Sequence, residues 1–183
     1  NDDYNKIHNI SVLLTNDDKA SIASSYGLTV LKFATFWENN NFDLVFCLGD
    51  RFEMSAAVQA GIPFGLKLAH IHGGETTLGA IDNIYRHQLT LASSIHFTTT
   101  TEHSKKVNSI IGGDNNVYTV GSLSLDEINS FEPINKEEFY STFNLVDKPF
   151  ALVTFHPETV SVADNIRFAT EMKKGLIKAA KQI

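Results

Sequence analysis

Three segments of this sequence place acid–base side chains beside glycine or proline: Gly49-Asp50-Arg51-Phe52-Glu53, His70-Ile71-His72-Gly73-Gly74-Glu75 and Phe155-His156-Pro157-Glu158-Thr159. Each follows a short apolar run, so each stands where a β-strand would end, and in open α/β sheets ligands bind beyond the carboxyl ends of the strands. Asp82, Arg86 and His87 form a fourth group in a helical pattern, with Asp82 and Arg86 one turn apart and so on one face. Carboxylates, histidines and a cation gathered at strand ends can move protons and hold an anion, which fits a charged, phosphorylated small molecule.

Each residue also has a plainer role open to it. Asp50 fits the N-cap of a following helix, and Arg51 with Glu53 fits a solvated face. His70 and His72 are two apart on a strand and share a face, a spacing that chelates a metal when further ligands converge and otherwise serves hydrogen bonding. Gly73-Gly74 suits close approach of a ligand to the backbone or a simple turn. Asp82 and Arg86 suit a structural ion pair, and His156 before Pro157 suits a loop. Cys47, inside an apolar run, is expected to be a small core residue.

The elements that would position these groups alternate. Helical spacing runs from Asp17 to Asn40, with a loosening expected at Gly27, and is followed by an apolar run over 43–50 that suggests a parallel strand buried on both faces. A short Ala-rich helix (54–59), a strand (64–71), a helix (81–93), a strand (95–99), a helix (102–111) closed by Gly112-Gly113 and a strand (117–120) come next. Repeated βα units of this length imply an α/β, Rossmann-like parallel sheet, doubly wound with right-handed crossovers. Between Leu123 and Lys148 the composition turns polar, with helical pattern over 135–143; a strand over 150–155 and an amphipathic helix from Asn165 to Ile183 are expected after it. The expected domains are therefore 1–148, most of an N-terminal Rossmann-like domain plus a connection, and 149–183, the opening strand and helix of a truncated second one. A first residue other than Met and a helical pattern that reaches the last residue point to a fragment.

Composition bounds the function classes. With 183 residues, 43% hydrophobic and 20% charged, the chain is an ordinary globular sequence. A net charge of −6 with scattered Lys and Arg disfavours a nucleic-acid partner. No apolar stretch is long enough for a membrane span, the start lacks the pattern of a signal peptide, and the single Cys47 forms no internal disulfide, all consistent with a cytoplasmic protein.

Five ordered motifs carry a resemblance: Leu48 to Glu53, Ala69 to Glu75, Ala80 to His87, Val120 to Asp126 and Thr154 to Thr159. Together they resemble the signature segments of the UDP-N-acetylglucosamine 2-epimerase family, in its hydrolysing branch. The resemblance implies the first domain of a GT-B-type two-domain fold, with the site in the cleft between domains. It implies loss of UDP from UDP-N-acetylglucosamine through a 2-acetamidoglucal and hydration to N-acetylmannosamine. It implies catalytic roles for Asp50, Glu75 and Asp82, substrate contacts from Arg51, His72, Arg86, His87 and His156, and no metal or redox cofactor. A UDP-sugar as the small-molecule partner and a homo-dimer follow from it, as does inactivity of a chain this short by itself. Family members often carry Asp-Asp before the Arg-His pair, where this chain has Asp82-Asn83. Competing readings are the related epimerase of UDP-N,N'-diacetylbacillosamine, a metal-dependent hydrolase using His70, His72, Glu75 and His87, a non-catalytic nucleotide-sugar-binding domain, and a retaining glycosyltransferase.

Overall fold

The computed structural model describes residues 6–12, 18–128, 130–159 and 162–179. By contacts, the chain divides into two compact units: Asn1–Thr76 with Asp82–Ser122, and Thr77–Ile81 with Leu123–Ile183.

The first unit begins with α1 (Lys19–Asn39), capped by Asp18, whose Oδ1 accepts from Ser21 N at 2.9 Å. Gly27 does not interrupt the helix. It is followed by β1 (Val45–Leu48), α2 (Phe52–Gly61), β2 (Leu68–Ile71), α3 (Asp82–Ala92), β3 (Ile95–Thr98), α4 (Thr101–Ile111) and β4 (Val117–Thr119). The strands are all parallel and lie in the order β1-β2-β3-β4. Because that order never reverses, right-handed crossovers put α2, α3 and α4 on one face of the sheet. The second helical layer of a doubly wound sheet is not seen among the described residues.

The core lies under those helices, where Cys47, Val58, Leu68 and Leu89 pack with Val45, Met54, Leu66 and Ala92. Small residues along α2, including Ser55, Ala56, Ala57 and Ala60, are buried and let α1 and α3 approach it. Trp37 of α1 closes this layer, donating from Nε1 to the Ala57 carbonyl at 2.8 Å. The expectation that β1 is buried on both faces fails on one side. Cys47 is fully buried, but Phe46 and Leu48 are 57% and 50% exposed. Phe46, Phe97 and Tyr118 instead form a stacked row across the open face, with centroids 6.2 and 5.8 Å apart.

The second unit contains α5 (Lys136–Thr142), capped by Asn135, and α6 (Asn165–Lys178). The strand expected over 150–155 does not form: Phe150 makes an isolated bridge, and 151–158 has no regular element. An apolar run becomes a strand only where a neighbouring strand takes up its backbone groups, and among the described residues 151–155 have no such neighbour. Phe150 packs instead on Phe139 at 5.9 Å, in a small aromatic cluster with Tyr140 and Phe143. No described residue of this unit from 123 onward is buried.

Candidate active site

The ladder of the sheet runs one residue past the strands, and the chemistry begins there. Gly49 N donates to the Ile71 carbonyl at 3.1 Å, and His72 N donates to the Phe97 carbonyl at 2.9 Å. Asp50 and Gly73 therefore start from fixed backbone. Gly49 turns at φ 81°, a conformation glycine adopts without strain.

Asp50 does not cap α2, whose N-cap is Arg51. Its Oδ2 accepts instead from Nη2 of Arg86, a side chain of α3 that is only 4% exposed. Arg86 therefore pairs with the carboxylate at the end of β1, and an Asp82–Arg86 structural pair does not form. Arg86 Nη1 also donates to Asn83 Oδ1 at 3.4 Å, while its buried Nε has no partner among the described residues. Asp82 opens α3, and its charge is felt by Arg51. Arg51 is exposed and pairs with Glu53 at 3.0 Å; that hydrogen bond, above the opposing effect of partial burial, holds its guanidinium protonated.

The two histidines of the second motif part company. His70 is fully buried and spans the Gly49 carbonyl (Nε2, 2.9 Å) and Thr90 Oγ1 (Nδ1, 3.1 Å). Burial pushes its pKa down to about 4, so the ring is neutral: Nε2–H donates to the Gly49 carbonyl, and Nδ1 lies 3.1 Å from Thr90 Oγ1, whose hydroxyl also reaches the Arg86 carbonyl at 3.0 Å. His70 is thus a core residue that fixes the turn presenting Asp50. His72 lies just beyond β2 in the left-handed region, at φ 68°. This break in the strand is why the two side chains do not share a face as the spacing alone implied. With both nitrogens of His70 engaged, the His70/His72/Glu75 chelate is not assembled, and no group of three or more His, Cys, Asp or Glu is arranged around a common metal position among the described residues.

His72 turns to Glu75, with Nδ1 to Oε1 at 2.7 Å. The same Oε1 accepts from Thr99 Oγ1 at 3.0 Å, and Thr99 lies 2.6 Å from His103 Nδ1. Burial raises the Glu75 carboxyl, but the His72 and Thr99 hydrogen bonds outweigh it and hold the group below the usual carboxylate range. Gly73 and Gly74 serve this corner as a turn pressed against protein, not as a ligand cradle. A Cβ on Gly73 would stand 3.1 Å from His70 Nδ1, and one on Gly74, at φ 81°, would strike the His103 carbonyl oxygen.

His87 follows Arg86 on α3, and burial, then Lys106 and Arg86, lower its pKa; its buried Nδ1 has no partner among the described residues. His156 is exposed in the second unit, in a segment fastened on both sides. Thr159 N donates to the Gly79 carbonyl at 3.1 Å, and Asn165 both accepts from Glu158 N (2.9 Å) and donates to its carbonyl (2.8 Å). A cleft of about 730 Å³ lies between α1 and α2 beside β1, lined by His8, Phe33, Trp37, Val45, Phe46, Glu53 and Met54, and of the strand-end motifs only Glu53 reaches it. Its lining is mainly apolar and carries no acid–base cluster.

Thr99 and His103 are not among the residues singled out from the sequence. The strand-end rule applied to β3 reaches Thr99, and the N-cap chemistry of Thr100, which accepts from His103 N at 3.2 Å, marks the helix start that delivers His103.

Comparison with known proteins follows the same outline. A family model described as UDP-N-acetylglucosamine 2-epimerase matches residues 3–182. The chain is 34% identical over 154 residues to the GDP/UDP-N,N'-diacetylbacillosamine 2-epimerase (hydrolyzing) of Campylobacter jejuni, covering 84% of this chain and 40% of that one. It is 33% identical over 160 residues to polysialic acid biosynthesis protein P7 of Escherichia coli, covering 87% and 41%. The chain thus spans about two fifths of the length of these curated relatives. The crystal structure of Methanocaldococcus jannaschii UDP-GlcNAc 2-epimerase in complex with UDP-GlcNAc and UDP matches with a TM-score of 0.67 at 18% identity, covering 87% of this chain and 46% of that one. At that identity the match speaks for the fold.

Proposed function

This chain belongs to the UDP-N-acetylglucosamine 2-epimerase family, and from that premise we propose that the whole protein is a hydrolysing nucleotide-sugar 2-epimerase whose substrate is UDP-N-acetylglucosamine. The observation that carries this reading is the convergence, at adjoining strand ends, of a carboxylate held by a buried arginine (Asp50–Arg86) and a histidine–carboxylate pair (His72–Glu75). Loss of a proton from C2 and of the diphosphate from C1 needs a base of matched strength, positive charge for the leaving group and a group that directs water. Asp50, Glu75 and Asp82 form the carboxylate set for these tasks. Arg51, His72, Arg86, His87 and His156 bind and orient the UDP-sugar, and the chemistry calls for no metal or redox cofactor.

The protein acts as a homo-dimer in this reading, and the one cysteine of this chain, buried Cys47, suits a reducing cytoplasm. No helix of the described residues is long and apolar enough to cross a membrane. A second substrate, UDP-N,N'-diacetylbacillosamine, is favoured by one observation: relatives from Campylobacter jejuni and Legionella pneumophila that are 34% and 31% identical carry that substrate in their names.

The test is turnover of both UDP-sugars by the intact protein in heavy water, followed by proton NMR. Release of UDP with a 2-epimerised sugar bearing deuterium at C2 is the expected result. Reaction of the bacillosamine nucleotide alone changes the substrate but keeps the mechanism. If neither nucleotide reacts, the reading fails and a binding domain without turnover takes its place.

A further inference from the structure

The carboxylate of Glu75 is poorly placed to be the base. Its Oε1 is already engaged by two donors, and those hydrogen bonds stabilise the charged form and so weaken its pull on a proton. The direction of the chain is fixed by its hydroxyl. Thr99 has one proton, and since Glu75 is an acceptor, Thr99 gives it to Oε1 and takes a hydrogen bond from His103 Nδ1–H. A run of donors from His103 through Thr99 therefore ends on Glu75, and Glu75 in turn accepts from Nδ1–H of His72. That assignment leaves the lone pair of His72 on Nε2. This nitrogen makes no hydrogen bond among the described residues, on a ring that is 21% exposed. His72 is also one of few non-glycine residues held at positive φ, a conformation that costs of order 1 kcal/mol and tends to persist where a site requires it.

Resting on the epimerase reading above and refining its roles for two residues, we propose that His72, there a sugar-orienting residue, is the proton-transfer group of the elimination, and that Glu75, there one of the carboxylate set, is its positioning carboxylate, with Thr99 and His103 as the relay that holds Glu75. The His72 Nε2 lone pair takes the C2 hydrogen as a proton. The C2–H electron pair becomes the C1=C2 double bond, and the C1–O pair departs with the nucleoside diphosphate. The imidazolium so formed faces the Glu75 carboxylate, which stabilises it without taking up the proton.

The experiment compares His72→Gln, Glu75→Gln and Thr99→Val in the intact protein, using UDP release from UDP-N-acetylglucosamine and UDP-N,N'-diacetylbacillosamine, with free imidazole added or omitted. His72→Gln is expected to lower kcat at least about 100-fold with KM changed less than about threefold. Added imidazole should restore part of that rate, which only a folded protein can show. Glu75→Gln and Thr99→Val should cost less, about tenfold or below. In both, ¹⁵N NMR should show His72 losing its single Nδ1–H tautomer, a change a purely structural role would not produce. A His72→Gln protein within about fivefold of wild type, a Glu75→Gln loss greater than that of His72→Gln, or an Nε2–H tautomer in the wild type overturns the proposal while leaving the epimerase reading intact. A wild-type protein that releases UDP from neither sugar overturns both.

Discussion

Two segments begin alike and end differently. Val45–Leu48 and 150–155 are both apolar runs that close on a chemically loaded motif, Gly49-Asp50 in the first and His156-Pro157-Glu158 in the second. The first is a strand: Val45 to Leu48 pair in register with Leu68 to Ile71, Cys47 is fully buried, and Asp50 leaves the sheet from fixed backbone onto Arg86. Among the described residues the second pairs only through the isolated bridge at Phe150, Leu152 is 90% exposed, and His156 is exposed. The difference lies in the neighbours. An apolar pattern creates a demand for burial, and a site becomes rigid only where packing and backbone pairing meet that demand.

The sharpest way to break this contrast is at the buried arginine. Arg86→Met leaves Asp50 without its counter-charge and should destabilise the first unit by about 3 kcal/mol, read as a fall in chemical-denaturation midpoint. A change under about 1 kcal/mol would mean that the strand-end pair is no firmer than a surface one. The next test is acid. His70 binds no proton in the fold until about pH 4, whereas an unfolded histidine takes one near 6.5. Its contribution is therefore fully present above pH 6.5 and lost as pH falls toward 4, by about 3 kcal/mol. His87 and His96 are shifted the same way, chiefly by burial. Thermal melts from pH 7 to 4 should show the loss, and His70→Gln should remove most of it.

Gly74→Ala combines a left-handed φ with a clash on the His103 carbonyl and should cost about 2 kcal/mol in the same denaturation assay. It should also disturb the Glu75 corner, seen as a change in the His72 NMR signals. The smallest effects belong to the second segment. Leu152→Asp and His156→Ala should each alter the stability of this chain by less than about 0.5 kcal/mol. Under the proposed epimerase activity, His156→Ala in the intact protein should act mainly on KM. A loss above about 2 kcal/mol for Leu152→Asp would show that the 150–155 run does pair and would erase the contrast.

Much of the first unit was legible. Asp18 caps α1, and Gly112 closes α4 at φ 72°, because capping and left-handed turns are decided within a few residues. The βα alternation and the parallel sheet followed from spacing in the same way. The strand-end rule also placed Asp50, His72 and Glu75 beyond the strands, where the structure has them. Other assignments failed for one shared reason. His70 and His72 look equivalent by spacing, yet the left-handed turn at His72 sends one ring into the core and the other to Glu75. Asp82 and Arg86 look paired by helical spacing, yet Arg86 is claimed by Asp50.

What the amino-acid sequence determined by itself is thus the alternation of elements, their caps and the motifs that mark the family, all set by interactions within a turn or two of the chain. Tertiary structure decided the partnerships. Asp50 and Arg86 are 36 residues apart and Glu75 and Thr99 are 24 apart, and those distances close only when parallel strands bring their ends together. The same side chains are a base, an ion pair or a core hydrogen bond according to what stands across the sheet, because charge and hydrogen bonding act over a few ångströms of space and not along the sequence.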